Sequence, residues 1–253
     1  MFPTGFYRDE NGELNVQGIK IDTLTAEYGT PLFIYDTGLM KERYEIFLNT
    51  VKNVKGNIHY AVKANDSVNI IKFFGKLGAG ADIVSIGEFH KCVAAGISPD
   101  KIIFSGVGKD KNEIEIALKS NILQFNIESE EELTDIYEIA SKLKLTANIC
   151  LRINPDIAPN THKKISTGEK ETKFGIDNEH IFSIYEKLHK LKFINPVGLG
   201  VHIGSQIFDF NFFYKAYSSL KDIANELKNS GFKVPTLDLG GGIGIYYDKN
   251  KNP

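Results

Sequence analysis

The sequence predicts an α/β chain folded as a (β/α)8 barrel, in preference to an open doubly wound sheet. Short apolar runs begin at residues 58, 80, 101, 123 and 146, in steps of 22, 21, 22 and 23. Each step is long enough for one strand, one helix and two loops, the repeat of a parallel βα sheet. The segments between runs carry helix-start signals. The polar residues of the runs gather at their carboxyl ends, where a barrel assembles its working residues.

Taken in order, the predicted strands are Ile58 to Lys63, Gly80 to Ser85, Lys101 to Ser105, Leu123 to Ile127, Thr146 to Ile153, Pro196 to Ile203 and Thr236 to Leu239. That makes seven. Either the early run Leu32-Phe-Ile-Tyr-Asp36 supplies the eighth or the chain is part of a longer one, and the second alternative is preferred. Among the helices, Ser129-Glu-Glu-Glu132 has capping-box spacing, and Leu133, Ile136, Tyr137, Ala140 and Leu143 then keep one apolar face, giving a helix over 129–143. Asp110 with Glu113 imitates that signal, and Ser85 with Glu88 repeats it, so Glu88 reads either as a cap or as an acid/base group. A long polar insertion, Asn154 to Lys173, and a second stretch, Asp209 to Tyr214, read as functional or mobile loops.

Composition narrows the function. With 253 residues, 42% hydrophobic and 25% charged, the chain is neither disordered, collagenous nor a membrane bundle. Thirty basic against thirty-two acidic side chains leave a net charge of -2, no footprint for nucleic acid or an anionic membrane, so a small-molecule partner is expected. Cys92 and Cys150 lie in apolar stretches without metal-ligand or redox spacing and are expected to be buried thiols, and no metal site is expected. The amino terminus shows no signal-peptide pattern and no run reaches transmembrane length, so a cytoplasmic location is expected.

Reading the carboxyl end of each run gives Lys63, Asp82 with Ser85, Ser105, Asn126, Arg152, His202 and Gly240-Gly-Gly242. A lysine ending an apolar strand is either a rim residue with its stem buried or an amine able to attack a carbonyl carbon. Gly240-Gly-Gly-Ile-Gly244 is either a tight turn or a cradle of backbone N–H groups for a phosphate, and it lacks the dinucleotide and nucleotide-loop spacings. Together an amine and a phosphate grip suggest pyridoxal phosphate. His202 alone would read as a core histidine, Asp82 could serve acid/base chemistry, and Arg152 either grips an anion or pairs with an acidic neighbour.

The same residues carry a family likeness. Tyr60-Ala-Val-Lys-Ala-Asn65, Asp82-Ile-Val-Ser-Ile-Gly-Glu88, Thr167-Gly with Lys173-Phe-Gly-Ile176, Val201-His-Ile-Gly-Ser-Gln206 and Asp238-Leu-Gly-Gly-Gly242 resemble, in order and spacing, the fold-type III pyridoxal-phosphate decarboxylases. Tyr28 to Asp36 and Phe104-Ser-Gly-Val-Gly-Lys109 extend the likeness to about residues 5–247. It implies a barrel of the alanine racemase-like type, with residues 1–30 a lead-in belonging to a carboxyl-terminal β-domain and 31–253 a pyridoxal-phosphate barrel lacking its final strand. By the same resemblance Lys63 would hold the cofactor covalently and His202 would stack on its ring. Ser205, Gly240, Gly241 and Gly242 would hold its phosphate, with Asp82 and Arg152 nearby. The motif variants favour diaminopimelate over ornithine or arginine as the substrate, with lysine and carbon dioxide as products. Another basic amino acid, or a non-catalytic pyridoxal-phosphate carrier, is the alternative.

The family's Glu-Pro-Gly-Arg motif and its cysteine-containing second domain do not occur in this sequence. The resemblance therefore implies a homodimer with shared sites in the full-length form, little turnover by residues 1–253 alone, and a strand at Asn15 to Ile21 lacking its sheet.

Overall fold

A computed structural model of the chain describes residues 5–157 and 174–246. Most of the predicted insertion, with Thr167, Gly168 and Lys173, and the polar end from residue 247 lie outside the described residues.

The lead-in folds as a small antiparallel sheet of β1 (Phe6–Arg8), β2 (Leu14–Val16) and β3 (Ile19–Lys20). Asp9 closes the first turn by accepting from the backbone N–H groups of Asn11 and Glu13, both at 3.0 Å. Gln17 and Gly18 join β2 to β3 with φ of 50° and 77°, the positive pair a two-residue hairpin requires. Asn15 to Ile21 is therefore no single strand lacking its sheet. It is two short strands around a turn, paired within the lead-in, and Ile21 already opens helix α1 (Ile21–Tyr28). Of the two alternatives for an eighth strand, the less favoured one falls: Leu32 to Asp36 forms no strand and pairs with none among the described residues. Its β-forming side chains have no neighbouring ladder to join, and Phe33 is 84% exposed. Asp36 instead caps α2 (Thr37–Val51), accepting from the N–H of Leu39 at 3.0 Å and from the Gln17 amide at 2.9 Å.

From there strands and helices alternate. They are β4 (His59–Ala61), α3 (Val68–Lys76), β5 (Gly80–Ile83), α4 (Ile86–Ala94), β6 (Ile102–Phe104), α5 (Lys111–Lys119), β7 (Gln124–Ile127), α6 (Glu130–Leu143), β8 (Ala147–Ile153), α7 (Asn178–Lys190), β9 (Ile194–Val201), α8 (Phe210–Asn229) and β10 (Thr236–Asp238). Strands β4 to β10 form one parallel sheet in chain order, with registers such as His59↔Gly80, Phe104↔Phe125 and Thr236↔Gly198. The sheet curls strongly. The Asn126 amide on β7 donates to the Asp238 carboxylate on β10 at 2.8 Å, whereas three strand spacings laid flat would separate them by about 14 Å. The result is an alanine racemase-like barrel with seven strands among the described residues and an opening between β4 and β10.

Helix starts follow from local chemistry. Asp110 and Glu113 make a full capping box on α5. Ser129 accepts from the N–H of Glu132 as its spacing predicts, but the Glu132 carboxylate turns to the N–H of Glu128 at 2.9 Å and to Lys109 at 2.5 Å. Ser85 caps α4, and Glu88 accepts from the N–H of Val84 at 2.7 Å, which gives both structural work. Asp209 to Tyr214 is corrected from a loop to the start of α8. Asp209 caps it, and Phe213, Ala216, Leu220, Ala224 and Leu227 lay a buried helical stripe on the sheet. The core lies between strands and helices, with Ile83, Phe104, Ile127, Leu151 and Leu199 facing neighbours such as Ile114, Ile136 and Tyr185 at 1% exposure or less. Each such side chain adds about 1.5–3 kcal/mol by leaving water. Cys92 and Cys150 are both buried and free, as expected, and burial pushes both thiols up.

Candidate active site at the barrel mouth

Every strand from β4 to β10 ends on the same rim. Lys63 sits in a single 3-10 turn (Val62–Ala64) directly after β4; fully buried Val62 pegs that turn, and the Tyr60 hydroxyl donates to the carbonyl of Asn65 at 3.0 Å. The Lys63 side chain is thereby presented at the open mouth. On β5, Asp82 accepts from the Ser105 hydroxyl at 2.6 Å. Burial pushes its carboxyl up to about 6, and the negative charge of Asp238 adds to the rise. The Ser105 hydrogen bond and the charges of Lys63 and Arg152 oppose it.

Arg152, near the end of β8, resolves the alternatives left by its sequence. It pairs with Glu128 at 2.8 Å, donates to the His202 carbonyl at 3.4 Å and lies 5.4 Å over the ring of Phe174. Its fork is used on protein partners. Glu128 was not singled out by sequence, although it follows the β7 run directly, the same strand-end position that marked the others. His202, the first residue after β9, accepts at Nδ1 from the N–H of Gly241 at 3.4 Å. Burial, then the charges of Arg152 and Lys63, lower its pKa to about 4, so its imidazole is neutral at pH 7.

The glycine run after β10 is shaped by close approach. A side chain on Gly240 would meet the Val201 carbonyl at 2.2 Å, and one on Gly242 the Gly204 carbonyl at 1.9 Å, both at positive φ. Space around Gly241 is open, with nothing within 4 Å of a built Cβ. Ser205 borders the loop, its Cα 3.5 Å from that built on Gly242. The N–H of Gly240 is donated to Asp238 at 2.9 Å. Lys63, Asp82, Arg152, His202, Ser205 and the glycine loop thus converge on one rim, joined by Ser105, Asn126 and Asp238. Ser85 instead serves its helix. Asp238 escaped sequence reading as a site residue because its side-chain partner, Asn126, lies 112 positions away in the chain.

A second cleft of about 520 Å³ lies between α7 and α8, lined by Phe182, Tyr214, Ser218, Asp222 and Glu226. None of the rim residues lines it. Among the described residues, no group of three His, Cys, Asp or Glu could hold a metal ion, and no helix is long and apolar enough to cross a membrane.

A primary amine, a neutral imidazole and an open glycine turn on the rim of a parallel barrel suit an aromatic aldehyde carrying a phosphate. That is the chemistry of a pyridoxal-dependent barrel. The chain belongs to this class: residues 37–253 match the family described as pyridoxal-dependent decarboxylase, pyridoxal binding domain.

Within the class, the chain is similar to proteins named diaminopimelate decarboxylase. It is 42% identical to that of Aquifex aeolicus over 248 residues, 98% of this chain and 58% of the relative, and 43% identical to that of Zymomonas mobilis over 94% and 57%. Among solved structures, the diaminopimelate decarboxylase of Helicobacter pylori complexed with L-lysine superposes with a TM-score of 0.89 at 40% identity, covering 91% of this chain and 59% of that one. The enzyme from M. jannaschii complexed with L-lysine gives 0.91 at 35% identity, over 98% and 59%. The chain therefore spans a little under three-fifths of the length of the relatives it matches.

Proposed function

We propose that the protein containing this chain decarboxylates meso-2,6-diaminopimelate to L-lysine and carbon dioxide with pyridoxal phosphate. The observation that carries this reading is the meeting of Lys63, His202 and the glycine loop on one rim, in a chain 42% identical to a diaminopimelate decarboxylase over nearly its whole length. Pyridoxal phosphate, when bound, supplies an electron sink for the pair left behind as carbon dioxide departs.

The chain's own residues supply attachment, orientation and charge. The Lys63 amine is the covalent anchor, and it stands at the mouth where an incoming substrate amine can compete for the same carbon. His202, uncharged at pH 7, offers a flat face for a ring to stack on. Arg152 holds the backbone of that histidine through its carbonyl, and Glu128 holds Arg152. Gly241, with Ser205 and Gly242 beside it, leaves open space for a phosphate, while Gly240 contributes by lacking the side chain that would strike Val201. Asp82, ionising near pH 6, can hold or release a proton beside the amine at neutral pH.

The proposal extends to the whole molecule. Residues 1–30 form a lead-in that belongs with a second domain and 31–253 form the barrel. In support, β1–β3 make a sheet separate from the barrel, and the family match begins only at residue 37. A homodimer with shared sites, working in the cytoplasm, completes the reading.

Borohydride reduction of the protein with pyridoxal phosphate, followed by peptide mapping, tests the anchor. An adduct confined to Lys63, lost in Lys63→Ala, is expected. Release of carbon dioxide from meso-diaminopimelate by the full-length protein tests the substrate, and faster release from ornithine or arginine would overturn that assignment.

A further inference from the structure

We infer that Asn126 and Asp238 are positioning residues, forming with Ser105 a side-chain bridge across the barrel interior that fixes the glycine loop relative to Asp82. The inference rests on the pyridoxal-phosphate reading above and deepens it.

The bridge is continuous. The Ser105 hydroxyl on the rim after β6 donates to Asp82 Oδ1 on β5 at 2.6 Å. The Asn126 amide on β7 donates to Ser105 Oγ at 3.1 Å and to Asp238 Oδ2 on β10 at 2.8 Å. The other oxygen of Asp238 accepts from the N–H of Gly240 at 2.9 Å, where the glycine loop begins. Gln124 donates to Asn126 Oδ1 at 2.8 Å, which turns the NH2 group of Asn126 towards its two acceptors. Gln124 and Asn126 are only 6% and 7% exposed, so no water competes freely for the bond between them.

Two consequences follow from this geometry. First, both oxygens of Asp238 are committed, one inward and one to the loop, so the loop's first N–H cannot drift without breaking its bond to the carboxylate. Second, the bridge sets the buried carboxyl of Asp82 and the half-buried one of Asp238 close enough for their charges to interact. The groups facing Asp82 are Ser105, Asp238, Lys63 and Arg152. Of these, Asp238 raises the pH at which Asp82 ionises, whereas the hydroxyl and the two cations lower it.

Opposite shifts from two neighbouring substitutions provide the test. In the full-length protein loaded with pyridoxal phosphate, cofactor dissociation and the pH dependence of the cofactor's absorbance are measured for Asp238→Asn, Ser105→Ala and Asn126→Leu. Asp238→Asn removes a negative charge, so the pH midpoint assigned to Asp82 is expected to fall. Ser105→Ala removes a hydrogen bond to the ionised form, so the midpoint is expected to rise. Asn126→Leu and Asp238→Asn are each expected to weaken cofactor retention about tenfold, the scale of one lost charge-assisted hydrogen bond.

General damage to the fold would not move the two midpoints in opposite directions. Midpoints that stay put or move together, with cofactor held as tightly as in the parent, overturn the inference. If Asn126→Leu does not fold, the Asp238→Asn and Ser105→Ala pair decides alone. The underlying reading is checked separately in the unsubstituted protein: absence of a Lys63 adduct after reduction overturns the cofactor assignment itself, and the inference with it.

Discussion

His202 and Arg152 show how the site spends charge. His202 is held neutral with its pKa near 4, below the 6.5 of a free imidazole, by burial and two nearby cations. The folded state therefore binds fewer protons than the unfolded state between those values. The stability this contributes is complete above pH 6.5 and is lost as pH falls through about 4. Urea unfolding at pH 7 and pH 4 is expected to show the parent losing roughly 3 kcal/mol more than His202→Gln over that window. Equal losses would mean that His202 titrates normally. Glu128 makes the complementary case. Its side chain is 2% exposed and that of Arg152 14%, and one Glu128 oxygen has no hydrogen-bond partner among the described residues, so the pair is costly to bury and costlier to break. Glu128→Ala strands the guanidinium and should cost about 3 kcal/mol in thermal or urea unfolding, whereas Glu128→Gln, which can still accept from Arg152, should cost less.

At the level of elements, the glycine loop separates shape from binding. Gly242→Ala would place a methyl 1.9 Å from the Gly204 carbonyl at φ 105°, so it should destabilise the protein by about 2 kcal/mol or more in chemical unfolding. Gly241→Ala meets nothing and has an ordinary φ, so its stability should stay within about 1 kcal/mol of the parent while its affinity for pyridoxal phosphate drops. Unchanged affinity would remove Gly241 from the phosphate site. The strands that carry this loop and the other rim residues were legible because each βα unit repeats locally: an apolar run, then a capped amphipathic helix. Lys63, Asp82, Arg152 and His202 were legible for the same reason, each ending such a run. Leu32 to Asp36, the less favoured candidate for an eighth strand, forms none because strand propensity is only realised beside a partner. Asp209 to Tyr214 was misread because its apolar residues start the helical stripe before the pattern is long enough to register. The Asn126–Asp238 contact depends on curling of the sheet, which joins residues 112 positions apart and leaves no local pattern; Glu128, paired with the neighbouring strand, shows only the strand-end position that marked the others.

Closure also governs the behaviour of the whole molecule. The outer edge of β10 has no partner strand among the described residues, and Leu237 within it and Leu239, Ile243 and Ile245 after it are 40–59% exposed. On the opposite side of the opening, α2 has no buried residue and shows Ile46, Phe47 and Leu48 to solvent, with Phe33 and Tyr35 just before it. Unpaired edges and contiguous apolar surface drive association when nothing covers them. Residues 1–253 expressed alone are therefore expected to self-associate with rising concentration in sedimentation experiments. Phe33→Lys should reduce that association without lowering the stability of the sheet, because Phe33 is already 84% exposed. The same isolated segment should release little or no carbon dioxide from meso-diaminopimelate, since the opening lies beside Lys63 and the glycine loop, which then face solvent rather than a closed site. A monodisperse monomer with robust turnover would show that seven strands suffice, and that the apolar surface flanking the opening serves something other than completion of the barrel.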